Sequence, residues 1–162
     1  MERIQAGDTA AYRQLFQRYR APLYGFLVRR VGDREVAGDL FQETFLRVHR
    51  ASGTWRRGRP VRPWLYSIAT NAARDHARRG SRRIEETGEI VTAGPRDTPE
   101  VRMTLEACIA ALPDNLREAF LLGVVEGFDH NEVAEQLEIS TSNARARVCR
   151  ARLKLREMLE ET

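Results

Sequence analysis

A chain of 162 residues with 42% hydrophobic content can bury one ordinary core or two small ones. Lys and Arg exceed Asp and Glu by only four, 27 against 23, so net charge alone says little about a partner. No apolar run approaches bilayer length, and Met1-Glu2-Arg3-Ile4-Gln5 has no apolar signal core, so a soluble, cytoplasmic protein is expected. Cys108 and Cys149 lie far apart without paired spacing, and His49, His76 and His130 sit singly. Disulfides, metal and cofactor are therefore not expected; Cys108 reads as core and the histidines as surface. With no phosphate-cradling glycine loop, nucleophile elbow or clustered His, Cys and carboxylate set, no catalytic residues are assigned and an enzyme is not expected.

In chain order the periodicity is helical throughout, and nothing alternates like a strand. Asp8 and Thr9 cap a stripe of Ala10, Ala11, Leu15, Phe16 and Tyr19. Pro22 should start or kink a second segment carrying Leu23, Phe26, Leu27 and Val31. Gly32 breaks it, and Asp33 caps a helix with Val36, Leu40, Phe41, Phe45 and Val48 inward. A loop over 51–63 holds Arg56, Arg57, Arg59 and Arg62, and the next helix runs from Trp64 towards Arg83. Residues 84–100 turn polar, acidic and rich in breakers, which suits a flexible linker. The expected organisation is all-α: a helical domain over 1–83, a linker over 84–100, and a second helical domain over 101–162.

In the second domain Leu105, Cys108, Ile109 and Leu112 form a short helix stopped by Pro113. Asp114 can cap the next, with Leu116, Phe120, Leu121, Val124 and Val125 inward. Asp129 and Glu132 make a capping box for a third helix, and Ser140 or Ser142 caps a long basic fourth. This pair reads as a helix-turn-helix, whose second member can lie in the major groove of DNA. Ala134 is small where the helices cross, while Glu138 stands at the turn where glycine is easiest, costing roughly 1 kcal/mol if its backbone is left-handed. The competing reading is a plain hairpin with a solvated basic face. On the DNA reading Arg145 suits a bidentate contact to guanine, Ala146 a thymine methyl, and Asn143 an adenine or the helix cap. Arg147 and Arg150 suit phosphates, whereas Arg152, Lys154 and Arg156 are equally well solvated.

The first domain offers different chemistry. Asp39, Gln42, Glu43 and Arg47 form a polar helix face better suited to protein than to DNA. Trp55, Trp64 and Tyr66 stand among arginines, a mixture that suits unstacked bases, since rings stack and guanidinium groups hold phosphate. Core packing competes for Trp64 and surface anchoring for Trp55. Asn71, Asp75 and Arg78 share one helix face, and the last two equally make a surface ion pair of little energetic value.

These blocks together resemble the extracytoplasmic-function group of bacterial sigma factors, which retains only the second and fourth regions of the sigma-70 family. The resemblance rests on 7–19, on Asp39-Leu40-Phe41-Gln42-Glu43, on Trp64-Leu65-Tyr66-Ser67-Ile68-Ala69-Thr70-Asn71 with Asp75 and Arg78, and on blocks between Leu112 and Arg156. It implies that Asp39, Gln42 and Glu43 face the β′ clamp helices of core RNA polymerase. It further implies that the Arg56–Pro63 loop, with Arg56, Arg57, Arg59 and Arg62, captures a flipped base of the −10 element, and that the helix bearing Trp64, Asn71, Asp75 and Arg78 directs strand opening. Asn143, Arg145, Ala146, Arg147, Cys149 and Arg150 would then meet the duplex −35 element, the rear domain would touch the β flap, and an anti-sigma factor would regulate the whole.

Departures from the family pattern are Gly38, where an acidic residue commonly precedes Asp39, Asn143-Ala144 in place of threonine-valine, and Ala146 in place of serine. The −35 sequence therefore does not transfer. The alternative function is a non-sigma helix-turn-helix regulator with an N-terminal sensor or dimerisation domain.

Overall fold

A computed structural model of the chain describes residues 1–87 and 104–160. All regular structure among the described residues is helical, and the chain divides into two compact units, Met1–Ala73 and Arg74–Thr162. Helices α1 (Glu2–Gln5), α2 (Thr9–Val31), α3 (Arg34–Ala51) and α4 (Val61–Thr87) come first, and α5 (Leu105–Ala111), α6 (Asp114–Phe120), α7 (His130–Leu137) and α8 (Thr141–Glu160) follow. The expected linker lies mostly outside the described residues; its first part, 84–87, continues α4.

In the first unit α2 packs along α3. The Asp8 carboxylate accepts from the N–H groups of Ala10 and Ala11 at 2.9 and 3.0 Å, which starts α2. Gly32, at φ 75°, ends it, a backbone state that glycine adopts without steric cost. Asp33 then accepts from Glu35 and Val36 and opens α3. Pro22 does not start a separate helix. One helix runs from Thr9 to Val31 with Pro22 exposed in its interior. An interior proline costs about 3 kcal/mol, but the inward stripe on either side of it is continuous. Phe16 meets Phe41 and Phe45, with ring centroids 5.5 and 4.8 Å apart, while Leu23, Phe26 and Leu27 are buried further along. Burying each such side chain stabilises by roughly 1.5–3 kcal/mol, so packing overrides the local preference.

Helix α4 begins at Val61, three positions before Trp64. Pro63 falls in the first turn, where backbone N–H groups have no intrahelical acceptor, so the proline removes nothing the helix needs. Leu65, Tyr66, Ala69 and Ala72 supply the α4 part of the core, with Tyr66 set edge-on to Phe26 at 5.2 Å.

In the second unit the expected Asp114 cap is replaced by a different arrangement. Pro113 holds the cap position without a side-chain bond, and Asp114 is the first helical residue, 3.8 Å from Arg117. Arg117 instead reaches back to the C-terminal end of α5, donating to the carbonyls of Ile109, Ala110 and Leu112 at 3.2, 2.6 and 2.9 Å. It thereby satisfies acceptors that a helix end leaves open. Helix α6 runs on into a wider turn over Leu121–Val125, in which Glu126 N–H bonds Leu121 O at 2.9 Å. The extra residue in that turn rotates the chain, so Val125, expected inward, is exposed and Val124 only half-buried. Gly123 lies where an added Cβ would stand 3.2 Å from Val148 Cγ2, which lets this turn sit close against α8.

Candidate nucleic-acid interface

The α7–α8 pair is built from its caps outward. Asp129 accepts from the N–H groups of Asn131 and Glu132 at 2.7 and 2.9 Å, and the Glu132 carboxylate accepts from Asp129 N–H at 2.9 Å. Val133, Ala134 and Leu137 are buried against the rest of the unit, and Ala134 gives the close crossing that a helix-turn-helix needs. Helix α7 stops at Glu138, whose φ and ψ of 54° and 44° are left-handed. Ile139 N–H returns to Ala134 O at 3.0 Å, closing the turn. Of the two candidate caps for α8 it is Ser140 that serves, its Oγ accepting from Asn143 N–H at 3.2 Å.

Helix α8 has one buried stripe, Ala144, Val148, Ala151 and Leu155. At 3.6 residues per turn, Ser142, Ala146, Cys149, Arg150 and Leu153 fall on the far side of the helix from that stripe. Arg145 and Arg152 flank one edge of the outward face and Arg147 and Lys154 the other. Arg145, Cys149 and Arg150 are exposed, while Asn143, Ala146 and Arg147 are half-buried. Arg147 Nε donates to Asn143 Oδ1 at 3.3 Å, so these two candidates hold each other. Arg150 Nε rests on Ala146 O at 3.3 Å and keeps the rest of its guanidinium outward.

In the first unit Arg56, Arg57 and Arg59 are exposed on the loop between α3 and α4. Arg57 pairs with Glu2 at 2.8 Å. Arg62 is half-buried with its guanidinium 5.4 Å from the centre of the Tyr66 ring. Trp55 and Trp64 are both half-buried, between the surface and core roles expected of them. Asn71 and Arg78 are exposed, and Asp75 is ion-paired with Arg78. On α3, Asp39 and Gln42 are exposed one turn apart, whereas the half-buried Glu43 is bound to Arg47 at 2.8 Å. Gly38 has open space around its missing Cβ, so no steric need explains the glycine.

The helix α1, with Glu2 and Gln5, was not legible in the sequence. Gln5 Nε2 donates to the carbonyls of Ser52 and Trp55, each at 2.9 Å, and so fastens α1 to the start of the arginine loop. His49, His76 and His130 are exposed, Cys108 is buried and Cys149 exposed. No group of His, Cys, Asp and Glu able to hold a metal occurs among the described residues, and none of their helices is long and apolar enough to cross a membrane.

Fold and interface together define an all-helical, two-domain protein with a DNA-binding helix-turn-helix in its second domain. Residues 15–83 match the family model for sigma-70 region 2, and residues 102–155 that for sigma-70 region 4. The chain is 39% identical to the RNA polymerase sigma factor CarQ of Myxococcus xanthus, over 99% of this chain and 96% of that protein. It is 32% identical to the ECF RNA polymerase sigma-E factor of Haemophilus influenzae, over 99% and 91%. Its fold is similar to that of the sigma factor RpoE of Bartonella quintana, solved with the anti-sigma factor NepR, with a TM-score of 0.79, 22% identity, and 93% and 97% of the two chains covered. CnrH, solved with the cytosolic domain of CnrY, gives a TM-score of 0.74 at 23% identity over 99% and 94%. The chain belongs to the sigma-70 family of RNA polymerase sigma factors, in its extracytoplasmic-function group.

Proposed function

We propose that this chain binds core RNA polymerase in the cytoplasm and directs it to promoters through two separate DNA contacts. Residues 1–83 take the polymerase and the −10 element, 84–100 join, and 101–162 take the −35 element. Asp39, Gln42 and Glu43 meet the β′ clamp helices. Arg56, Arg57 and Arg59 on the loop, with Arg62 in the first turn of α4, hold the displaced strand, and Trp64, Asn71, Asp75 and Arg78 lie along α4 at the opening duplex. Asn143, Arg145, Ala146, Arg147, Cys149 and Arg150 meet the −35 duplex, and the same domain meets the β flap. An anti-sigma factor restrains the chain, and nucleotide addition belongs to the polymerase, so the chain itself is not an enzyme.

The observation that carries this reading is the division of surface chemistry on well-capped helices. The outward face of α8 is basic, with Arg145 and Arg150 exposed beside Cys149, whereas the middle of α3 exposes Asp39 and Gln42, followed a turn later by the apolar Leu46. A positive face suits the phosphate backbone, and an acidic, amide-bearing one suits protein. Run-off transcription with purified core polymerase on a promoter library, with and without the chain, tests it. Defined start sites that appear only with the chain are expected. Tight duplex binding by the chain alone, with no effect on initiation, would instead establish the regulator reading.

A further inference from the structure

Helix α1 has four residues, and none of them is buried. So short a helix does not form by its own propensity, and without a buried side chain it adds little to the core. Polar contacts at both ends hold it instead. Arg3 donates through Nε and Nη2 to Asp8 Oδ2 at 2.8 and 2.7 Å, and Asp8 N–H bonds Arg3 O at 2.9 Å, which fixes α1 to the start of α2. Its other end meets the start of the arginine loop. Gln5 Nε2 donates to Ser52 O and Trp55 O, each at 2.9 Å, from 47 and 50 residues away.

Those two carbonyls flank the single 3₁₀ turn, Ser52–Thr54, that carries the chain from α3 into Arg56, Arg57 and Arg59. The Ser52 and Thr54 hydroxyls bond carbonyls three residues back, at 2.9 and 2.7 Å, so they finish α3 without relating the loop to any other element. Gln5 does relate it. Two bonds from one planar amide fix the direction in which the loop leaves the turn, and losing them returns backbone freedom to the residues that follow. Glu2 adds an ion pair with Arg57 at 2.8 Å, but both side chains are more than half exposed. Solvent and salt screen such a pair, and a phosphate can take the place of Glu2. The amide bonds are neutral and persist in salt, so Gln5 is the durable contact.

We propose that Gln5 is a positioning residue for −10 recognition: it holds the arginine loop in one shape and does not itself touch DNA. The assignment rests on the −10 reading of the loop. A loop held in one shape fits one base, whereas a loose loop adapts to several. The test compares holoenzymes assembled from bacterial core polymerase and the full chain as wild type, Gln5→Met and Gln5→Glu. Each is assayed on single-base −10 and −35 variants of one promoter selected from the run-off library. Methionine keeps the length and removes the donors; glutamate sets a carboxylate against two carbonyls. Gln5→Met is expected to lower discrimination among the −10 variants about fivefold, the worth of one such bond, at low and high salt alike. Gln5→Glu should lower it further. Discrimination among the −35 variants and affinity for core polymerase should not change. Nor should the denaturation midpoint, because Gln5 is exposed and α1 and the loop open locally. In the free chain, hydrogen exchange should quicken at the Trp55 and Arg59 amides, which bond Ser52 O and Arg56 O at 3.2 Å. Arg56→Ala on the loop serves as the reference.

If Arg56→Ala lowers −10 discrimination while both Gln5 variants keep it at the wild-type level, the loop reading survives and Gln5 has no part in it. Should −10 and −35 discrimination fall together with the denaturation midpoint, Gln5 is a general fold contact and the proposal is wrong. A loss of −10 discrimination without faster exchange at Trp55 would mean that Gln5 meets DNA directly, which overturns it too. If Arg56→Ala leaves −10 discrimination unchanged, the loop reading fails and takes this one with it.

Discussion

Asp129 and Glu132 cap each other's backbone: each carboxylate accepts an N–H from the other residue, at 2.9 Å in both directions. This reciprocal cap sets where α7 starts, and through α7 it sets the seat of α8. Asp129→Ala should destabilise the second unit by about 1 kcal/mol, the ordinary worth of such a cap. Chemical denaturation of the full chain, followed by circular dichroism, measures it. A change within error would mean the tertiary contacts of Val133 and Leu137 define the helix start without help.

At the other end of α7, Glu138 holds a left-handed backbone that a side chain adopts only at a cost. Glu138→Gly relieves that strain, although it also loosens the unfolded chain. A net gain of about 0.5–1 kcal/mol is expected. A raised denaturation midpoint with an unchanged slope is the expected signature; a lowered midpoint would show that the Glu138 side chain contributes more than its backbone costs.

On α8 the outward residues should divide the work. Arg145→Ala is expected to cost about 1–3 kcal/mol and relax preference at one −35 position. Arg150→Ala should weaken all sequences alike and reduce the salt slope by about one. Binding of promoter libraries by holoenzyme at several salt concentrations separates the two. Identical behaviour would end this division of labour.

Asp39 and Gln42 are exposed on α3, so replacing both should leave the fold intact. The double variant Asp39→Asn, Gln42→Ala should retain wild-type helicity and lose affinity for core polymerase about tenfold or more, consistent with hot-spot residues at a protein interface. A pull-down with core enzyme at wild-type efficiency would remove both residues from the docking face.

Asp8 couples the start of α2 to pH. The Ala11 N–H and then the Arg3 side chain hold its carboxyl below the ordinary value of 3.8. A carboxyl depressed in the native state contributes stability that is present above the unfolded value and lost as pH falls through the native one. The chain should therefore lose stability on acidification below pH ~4, and Asp8→Asn, which caps without charge, should show a shallower loss. Denaturation midpoints at several acidic pH values test this, and parallel curves for the two proteins would contradict it.

The helices after α1, the capping residues Asp8, Asp33 and Asp129, the turn at Glu138 and the basic face of α8 were legible from residue order. Each depends on partners within about one helical turn, and such short-range patterns survive in a linear reading. Tertiary structure alone decided that α2 continues through Pro22, because the burial that overrides the proline comes from α3. It alone placed Arg117 on the carbonyls at the end of α5 and turned Val125 outward. It also pinned α1 beside the arginine loop through Gln5 and Glu2, roughly fifty residues away in sequence. Contacts at that separation carry no periodic signal, because what selects them is the packing of helices that meet only once the chain has folded.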